Sequence, residues 1–299
     1  MKLLLLGKNG QVGWELQRSL SVLGDVVALD RDSQDHCGDL TKLDALALTV
    51  RRLRPDIIVN AAAYTAVDKA ESEPELAHAV NALAPEVLAR EAQHLGAWLL
   101  HYSTDYVFDG SGKQPWVETD ATGPLNVYGR TKLEGERRIA AQCERHLILR
   151  TSWVYSARGG NFIRTMLRLA QDRARLTVID DQHGAPTSAE LLADVVAHVV
   201  RQVTVAPARK DLAGIYHLAA AGETTWHGYA THVLQQARLL QPTIRMVATG
   251  VDPVASEAFA TAARRPLNSR LDTAKIQAAF GLSLPPWQQG VDRVLAEIL

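Results

Sequence analysis

The residues best suited to chemistry in this 299-residue sequence are a tyrosine and a lysine four positions apart, Tyr128 and Lys132. On a helix, residues i and i+4 share one face, so a phenol and an ammonium are presented to the same point. Reducing a ketone with a nicotinamide needs hydride at carbon and a proton at the developing alkoxide. An unperturbed tyrosine titrates at about pH 10, and a neighbouring ammonium favours the phenolate and lowers that pKa. Taken alone, this spacing is typical of a surface helix. Together with the nucleotide turn and the Ser-Thr strand end described below, it predicts that Tyr128 donates the proton and that Lys132 tunes it and holds the nicotinamide ribose.

A third candidate follows a predicted strand, the apolar run Ala97–Tyr102, which ends in Ser103, Thr104 and Asp105. Ligands of open parallel sheets bind beyond the carboxyl ends of the strands. Thr104 is therefore predicted to donate a hydrogen bond to the substrate oxygen and to stabilise charge as it develops.

A glycine-rich turn predicts where a dinucleotide would bind. The stretch Gly7–Gly13, GKNGQVG, directly follows the apolar run Lys2–Leu6 and precedes a pattern typical of a helix. Glycines allow the backbone to approach a pyrophosphate closely, and the helix N-terminus offers free N–H groups and a positive dipole end. The spacing is G-x-x-G-x-x-G rather than the commoner G-x-G-x-x-G, so the prediction depends on the strand–turn–helix context.

The end of the next predicted strand, Asp25–Leu29, bears on the choice of coenzyme. Asp30 lies 23 positions after Gly7, close to the separation expected for a carboxylate that binds the adenosine ribose hydroxyls. The neighbouring Arg31 could instead pair with a 2′-phosphate. The sequence thus leaves NADH and NADPH open, and a strand-end turn residue is the alternative interpretation of Asp30.

Composition limits the partners. The net charge is −1 and the pI about 6.8, so no basic field suggests nucleic acid or an anionic membrane. No apolar run is long enough to cross a bilayer. Cys37 and Cys143 fit neither a metal site nor a disulfide framework, which favours two reduced thiols in a cytoplasmic protein.

Alternating predicted strands and helices indicate an α/β protein with a Rossmann-type, doubly wound parallel sheet. The dinucleotide-binding domain is predicted to comprise residues 1–152 and about 171–220. The pattern loosens beyond it, and the C-terminal third carries no cofactor signature. Residues of about 153–170 and 221–299 are therefore predicted to form a smaller, mainly helical substrate-binding domain.

The glycine turn, the strand end Asn60–Ala63 and the Tyr-x-x-x-Lys pair together resemble the extended short-chain dehydrogenase/reductase family. Within that family the resemblance spans essentially the whole chain. It implies that NAD(P)H reduces the C4 ketone of dTDP-4-dehydro-β-L-rhamnose, the last step in making dTDP-β-L-rhamnose. The finer matches lie at 66–71, 103–108, 150–155, 184–187 and 264–266, with the sequences AVDKAE, STDYVF, RTSWVY, GAPT and RRP.

The motifs and the resemblance together assign the candidate binding residues. The substrate sugar is expected at Thr104, Asp105, Tyr128 and Trp153, with core packing as the alternative for Trp153. For Asp39, the alternative to a cofactor contact is an N-terminal helix cap. The residues expected to bind the cofactor are Gly7, Asn9, Gly10, Gln11, Val12, Gly13, Asp30, Arg31, Asp39, Leu40, Ala63, Tyr64, Thr65, Tyr102, Tyr128 and Lys132.

The resemblance also implies an association with Mg²⁺ and with homodimers. Carboxylates away from the pocket, namely Glu15, Glu190 and Glu297, could supply oxygen ligands. For each of them alone, a solvated surface position is the alternative.

Three rival interpretations remain at this point. Related dehydratases carry Asp then Glu after the catalytic Thr, whereas here Tyr106 follows Asp105, which argues against dehydration. A 4-epimerase would retain its NAD through turnover, and a non-catalytic regulatory subunit would not need an intact Tyr, Lys and Thr. Because a nucleotide diphosphate needs a counter-charge, Arg264 or Arg265 is expected to approach it.

Overall fold

The computed structural model describes residues 1–205, 210–259 and 261–299. Helices α1–α11 span Gln11–Leu20, Leu43–Leu53, Val67–Ala70, Pro74–His78, Ala84–Leu95, Val127–Gln142, Phe162–Ala170, Ala189–Val205, Trp226–Leu240, Ala274–Phe280 and Trp287–Ile298. Strands β1–β12 span Lys2–Leu6, Asp25–Leu29, Ile57–Asn60, Trp98–Thr104, His146–Thr151, Val154–Tyr155, Arg175–Ile179, His183–Gly184, Thr187–Ser188, Gly214–His217, Thr224–Thr225 and Gly250–Val254.

Six strands form a central parallel sheet in the order β10-β5-β4-β3-β1-β2. In β1, Leu3–Leu6 are fully buried because helices cover both faces of the sheet. Burial on both faces also explains why this strand is apolar without alternation. The predicted α/β, Rossmann-type fold is confirmed.

The strand order creates the crevice in which a ligand can bind. β2 lies on one side of β1 and β3 on the other, so the chain reverses its direction of progress across the sheet at β1. Open α/β sheets bind ligands outside the carboxyl ends of the strands at such a switch point. The glycine turn after β1 and the alanines after β3 therefore flank this crevice.

The two faces of the sheet carry separate apolar cores. On one face, Leu16 of α1 and Val196 of α8 pack with Phe280 of α10. On the other face, Val50 of α2, Leu88 of α5 and Ile139 pack with the strands. Within the described ranges no helix is both long and apolar enough to span a bilayer.

A third apolar core lies outside the sheet. It is formed by side chains from 155–178 and 220–295, including Tyr155, Tyr229 and Trp287. Leu176 and Val178 of β7 belong to it, and β7 pairs with β12 rather than with the central sheet. The domain division stays a prediction, but this packing argues for placing 171–179 with the substrate-binding part.

Helix α6, which carries the Tyr–Lys pair, starts at an asparagine cap. The Asn126 Oδ1 accepts a hydrogen bond from the Gly129 N–H at 2.8 Å. The Asn126 amide also donates to the Arg264 carbonyl at 2.8 Å, which ties the helix start to the C-terminal segment. At Gly129, an added Cβ would lie 2.2 Å from the Tyr106 carbonyl oxygen, so glycine allows α6 to approach the end of β4.

Candidate active site

A cavity of about 680 Å³ lies over the carboxyl ends of β1, β3, β4 and β5. The glycine turn, the alanines after β3 and one face of α6 form its other walls. Among the residues expected to bind cofactor or substrate, those lining it are Gly7, Gly10, Gln11, Val12, Ala63, Thr65, Tyr102, Thr104, Asp105, Tyr128, Lys132 and Trp153.

The turn requires glycine at two positions. Gly7 has a φ of +89°, and an added Cβ would lie 2.8 Å from the Ala62 nitrogen. At Gly13 an added Cβ would lie 2.0 Å from the Gly7 carbonyl oxygen. The turn is thus packed directly against the strand end after β3, and larger side chains would push the backbone away from the crevice.

The Tyr128 hydroxyl is hydrogen-bonded to Thr104 inside the cavity. Burial raises the pKa of Tyr128 to about 12, with the Thr104 hydrogen bond opposing and the Asp105 charge adding to the shift. The phenol is therefore protonated at neutral pH, as a proton donor must be.

Lys132 is buried, and its ammonium contacts two residues of β4. Its Nζ donates to the Tyr102 carbonyl at 2.6 Å and lies 3.1 Å from His101 Nε2. Burial lowers the pKa of Lys132 to about 8, with Glu136 opposing. Burial dominates the pKa of Tyr128 in the protein without cofactor, so the lowering expected from Lys132 together with oxidised nicotinamide stays a prediction.

His101 is a functional candidate that the sequence analysis missed. It is fully buried in β4, and its Nδ1 lies 3.0 Å from the side-chain nitrogen of Asn60. Burial and the Lys132 charge lower its pKa well below 6.5, so the imidazole is neutral. The only signal in the sequence is a histidine inside an apolar strand.

Asp105 is a buried carboxylate on the wall of the cavity. Its Oδ1 accepts from Thr104 at 3.0 Å, whereas Oδ2 has no hydrogen-bond partner in the part of the chain that the structure describes. Burial raises the pKa of Asp105 to about 6, with hydrogen bonds from Ser269 and Thr104 opposing. A carboxylate oxygen without a partner suits a sugar hydroxyl, and the contact of Asp105 with the substrate stays a prediction.

Trp153 lies beside the cavity in a constrained position. Its ring stacks on Trp226 with centroids 3.8 Å apart, and its φ is +48°. An added Cβ at Gly184 would lie 2.7 Å from the indole, which explains the glycine there. Trp226 also lines the cavity, but 73 positions separate the two tryptophans, so no local pattern predicted their contact.

A second cavity of about 990 Å³ adjoins the first and shares Tyr106 and Trp226 with it. Arg264 and Arg265 both line this second cavity. Arg265 donates to both carboxylate oxygens of Asp68, whereas Arg264 is exposed. Arg264 is therefore the better placed of the two for a diphosphate.

Seven of the residues expected to bind the cofactor lie outside the lining of the first cavity. Asp39 Oδ1 accepts from the backbone and hydroxyl of Thr41, Leu40 packs in a core, and the Tyr64 hydroxyl donates to Glu73 at 2.7 Å. Their contacts with a cofactor stay predictions. The seven are Asn9, Gly13, Asp30, Arg31, Asp39, Leu40 and Tyr64.

The carboxylates expected to bind magnesium do not fit a metal ion in this chain. Burial raises the pKa of Glu190, with Arg293 opposing and Glu297 and Glu15 adding to the shift, so the three carboxylates are neighbours. However, the Arg293 Nε bridges Glu190 at 3.0 Å and Glu297 at 3.5 Å. Across the described residues, no three His, Cys, Asp or Glu side chains are placed to hold a metal.

A parallel sheet that opens on a dinucleotide turn, with α6 delivering a Tyr–Lys pair to the same cavity, defines an oxidoreductase of the extended short-chain dehydrogenase/reductase class. The family model described as the RmlD substrate binding domain matches residues 1–299. The chain belongs to this family.

Similar proteins cover the whole chain. The dTDP-4-dehydrorhamnose reductase of Escherichia coli K12 is 56% identical over 298 residues, which are 100% of this chain and 98% of that protein. A crystal structure of such a reductase from Clostridium acetobutylicum is 32% identical with a TM-score of 0.87, covering 100% of this chain and 99% of that one. The Bacillus anthracis reductase, solved in complex with NADP, is 32% identical with a TM-score of 0.85 and 99% coverage of both chains.

Proposed function

We propose that the protein reduces the C4 ketone of dTDP-4-dehydro-β-L-rhamnose with NADPH or NADH, giving dTDP-β-L-rhamnose. The observation that carries this proposal is the protonated Tyr128, hydrogen-bonded to Thr104 in the cavity that the dinucleotide turn lines. The full-length similarity to proteins named dTDP-4-dehydrorhamnose reductase supports the substrate.

The chain supplies the proton and the orientation. A reduced nicotinamide, when bound, supplies the hydride that adds to C4. Tyr128 gives its hydroxyl proton to the ketone oxygen, which becomes the C4 hydroxyl, and the phenolate then regains a proton from solvent. Thr104 orients the ketone oxygen through hydrogen bonding. Lys132, fixed by the Tyr102 carbonyl, is available to hold the nicotinamide ribose.

The two cavities divide the substrate between them. The sugar fits the first cavity, where the unpartnered Asp105 Oδ2 accepts from a hydroxyl and Trp153 packs against the ring. The nucleotide diphosphate fits the second cavity, beside Arg264. The shared residues, Tyr106 and Trp226, lie where the two parts of the substrate join.

Tyr106 also separates reduction from dehydration. It stands next to Asp105, and its ring contacts that of Tyr128 edge-on with centroids 5.7 Å apart. A dehydratase needs a second carboxylic acid at this place, and a phenol cannot replace it. A cytoplasmic location and a homodimer stay predictions.

Assay of the purified protein with the 4-keto sugar nucleotide tests the proposal. We expect consumption of NADPH or NADH with stoichiometric formation of dTDP-β-L-rhamnose, identified by NMR. Release of oxidised coenzyme at each turnover separates this outcome from an epimerase. Recovery of the 4-keto sugar without coenzyme consumption, or formation of a dehydrated product, would contradict the proposal.

Tyr128→Phe is the matched inactive variant in this assay. Loss of the proton donor should lower kcat by at least about 100-fold, with the coenzyme Kd changed less than about twofold because the ring remains. A kcat close to that of the wild type would remove the proton-donor assignment.

A further inference from the structure

The carboxylate expected to bind the adenosine ribose has a lysine beside it. Lys8 Nζ lies 3.9 Å from Asp30 Oδ1 and donates to Ser33 Oγ at 3.2 Å. Ser33 Oγ in turn donates to Asp30 Oδ1 at 2.8 Å, and the Asn9 amide donates to Asp30 Oδ2. Ammonium, hydroxyl, amide and carboxylate therefore meet at one point beyond the end of β2.

Asp30 with Lys8 beside it should bind a coenzyme differently from an aspartate that has no cation nearby. An unpaired aspartate selects NADH because it binds the ribose hydroxyls and repels a 2′-phosphate. Here the Lys8 charge lies against Asp30 and offsets that repulsion. The ammonium is a donor that a phosphate oxygen needs, and the Ser33 hydroxyl becomes a second donor when it turns from Asp30 to the phosphate.

Lys8 is held more firmly than the alternative cation. The backbone N–H of Lys8 donates to the Leu29 carbonyl at 3.1 Å, and the backbone carbonyl of Lys8 accepts from the Gln17 side-chain amide at 2.9 Å. The Lys8 side chain is 31% exposed. The Arg31 side chain is 77% exposed, and its Nε lies 3.9 Å from the exposed Asp32.

We propose that Lys8, assisted by Ser33, binds the 2′-phosphate of NADPH and that Asp30, assisted by Asn9, binds the ribose hydroxyls of NADH. Lys8 is then the residue that admits NADPH to a site with an aspartate at its centre. This inference rests on the proposed function, because it assumes that a nicotinamide dinucleotide occupies the glycine turn.

The charges set the direction of the effect. A phosphate monoester carries about −1.5 to −2 charges at pH 7. Removing the Lys8 ammonium leaves Asp30 facing that phosphate without compensation, so NADPH affinity falls. NADH has no 2′-phosphate, and the Asp30 carboxylate, whose two oxygens can each accept more than one hydrogen bond, still accepts from its hydroxyls.

Titration calorimetry of the full-length protein with NADPH and NADH tests the inference. The variants are Lys8→Met, which keeps the alkyl chain, Lys8→Arg, which keeps the charge, and Arg31→Ala, which removes the competing cation. Arg52→Ala, at the exposed end of α2, is the control for loss of a surface charge. Titrations with 2′,5′-ADP and 5′-AMP isolate the contribution of the 2′-phosphate.

Lys8→Met should weaken NADPH and 2′,5′-ADP binding by at least about tenfold and flatten the salt dependence of both. In Lys8→Met, the affinity for NADH and 5′-AMP should change less than about twofold. In Lys8→Arg, the affinity for NADPH should stay close to that of the wild type. Equal losses for the two coenzymes, or a selective loss in Arg31→Ala alone, would overturn the inference. If the wild-type protein bound neither coenzyme, the proposed function itself would fail.

Discussion

Tyr128 and Lys132 were predicted from their spacing together with the glycine turn and the Ser-Thr strand end, and both line the cavity. The helix period places both side chains toward the strand ends. It does not reveal that a carbonyl of β4 lies within reach of the Lys132 ammonium at 2.6 Å. Burial then makes Tyr128 a weaker acid, with a pKa of about 12. The resting phenol suits the reductive direction, in which it gives up a proton.

His101 is expected to position Lys132. In the tautomer whose Nε2 accepts from the ammonium, His101→Leu removes that acceptor, so kcat should fall at least about tenfold and the pKa of Lys132 should fall further. His101→Gln, which can offer an amide oxygen to Nζ, should recover most of the rate.

The pH profile of kcat distinguishes this role from a merely structural one. In His101→Leu the alkaline limb should move to lower pH because the protonated lysine has lost an acceptor. A lower kcat with the alkaline limb of the pH profile unchanged would mean instead that the substitution disturbs the structure of β4.

Asp105 should make the fold less stable as pH rises. Its folded-state pKa of about 6 lies above the ordinary value of 3.8, so the folded protein binds this proton more tightly than the unfolded chain. The resulting destabilisation is complete above about pH 7 and disappears as pH falls through 6 toward 4. Asp105→Asn should therefore raise the free energy of unfolding at about pH 8 by up to about 3 kcal/mol.

Urea denaturation of the wild type and Asp105→Asn at about pH 8 and about pH 4.5 measures the difference. Asp109→Asn is the matched control, because hydrogen bonds from Ser111 lower the pKa of this exposed carboxyl. That variant should be neutral or slightly destabilising. If the free energy of unfolding gained by Asp105→Asn were as large at acid pH as at about pH 8, ionisation of Asp105 would be excluded as the cause.

At the scale of elements, strands β1, β2 and β4 were predicted to within two residues because each signal is local. Apolar runs mark the buried strands, and the asparagine before α6 caps the helix. The order of the strands is not local, since β10 pairs with β5 across more than 60 residues. The π-helical turn Ala79–Leu83, which joins α4 to α5, also leaves no mark in the apolar pattern.

A buried ion pair holds α6 against the sheet. Arg150 of β5 donates to Glu136 of α6 at 2.6 Å, and Ser103 of β4 donates to the same carboxylate at 2.5 Å. Both charged side chains are almost fully buried. Glu136→Gln leaves Arg150 without its counter-charge and should lower the free energy of unfolding by about 3–5 kcal/mol.

Glu134→Gln provides the control for Glu136→Gln. Glu134 lies on the same helix, two positions earlier, and pairs with His78 and Arg138 at the surface. Loss of these exposed ion pairs in Glu134→Gln should lower the free energy of unfolding by less than about 1 kcal/mol. Equal destabilisation of the two variants in urea would mean that the buried pair adds nothing beyond a surface one.

At the scale of the whole molecule, the substrate site is assembled from segments far apart in the chain. Arg264 reaches the second cavity because the segment around it is bound to α6 through Asn126. Sequence reasoning named Arg264 and Arg265 together as diphosphate ligands. It could not separate them, because the partner that occupies Arg265 is Asp68, almost 200 positions away.

Arg264→Ala should raise the KM for the sugar nucleotide by about tenfold, with kcat and the coenzyme Kd nearly unchanged. The reason is that this cation contacts the diphosphate and not the reacting carbonyl. Steady-state kinetics measures the effect, and Arg245→Ala, an exposed cation outside both cavities, serves as the control. An unaltered KM in Arg264→Ala would remove the diphosphate contact.

The chain crosses between the cores more than once. After contributing Tyr155–Val178 to the third core, it returns to the sheet core as α8 and β10 and leaves again at residue 220. It comes back once more as α10 and then rejoins the third core as α11. Ser19 of α1 donates to the Ala193 carbonyl of α8 at 3.0 Å, so the return is bonded to the first helix. Grafting the sugar-selecting part of a relative onto this chain would consequently require five junctions, and a hybrid made with one junction would combine residues of both parents inside a single core.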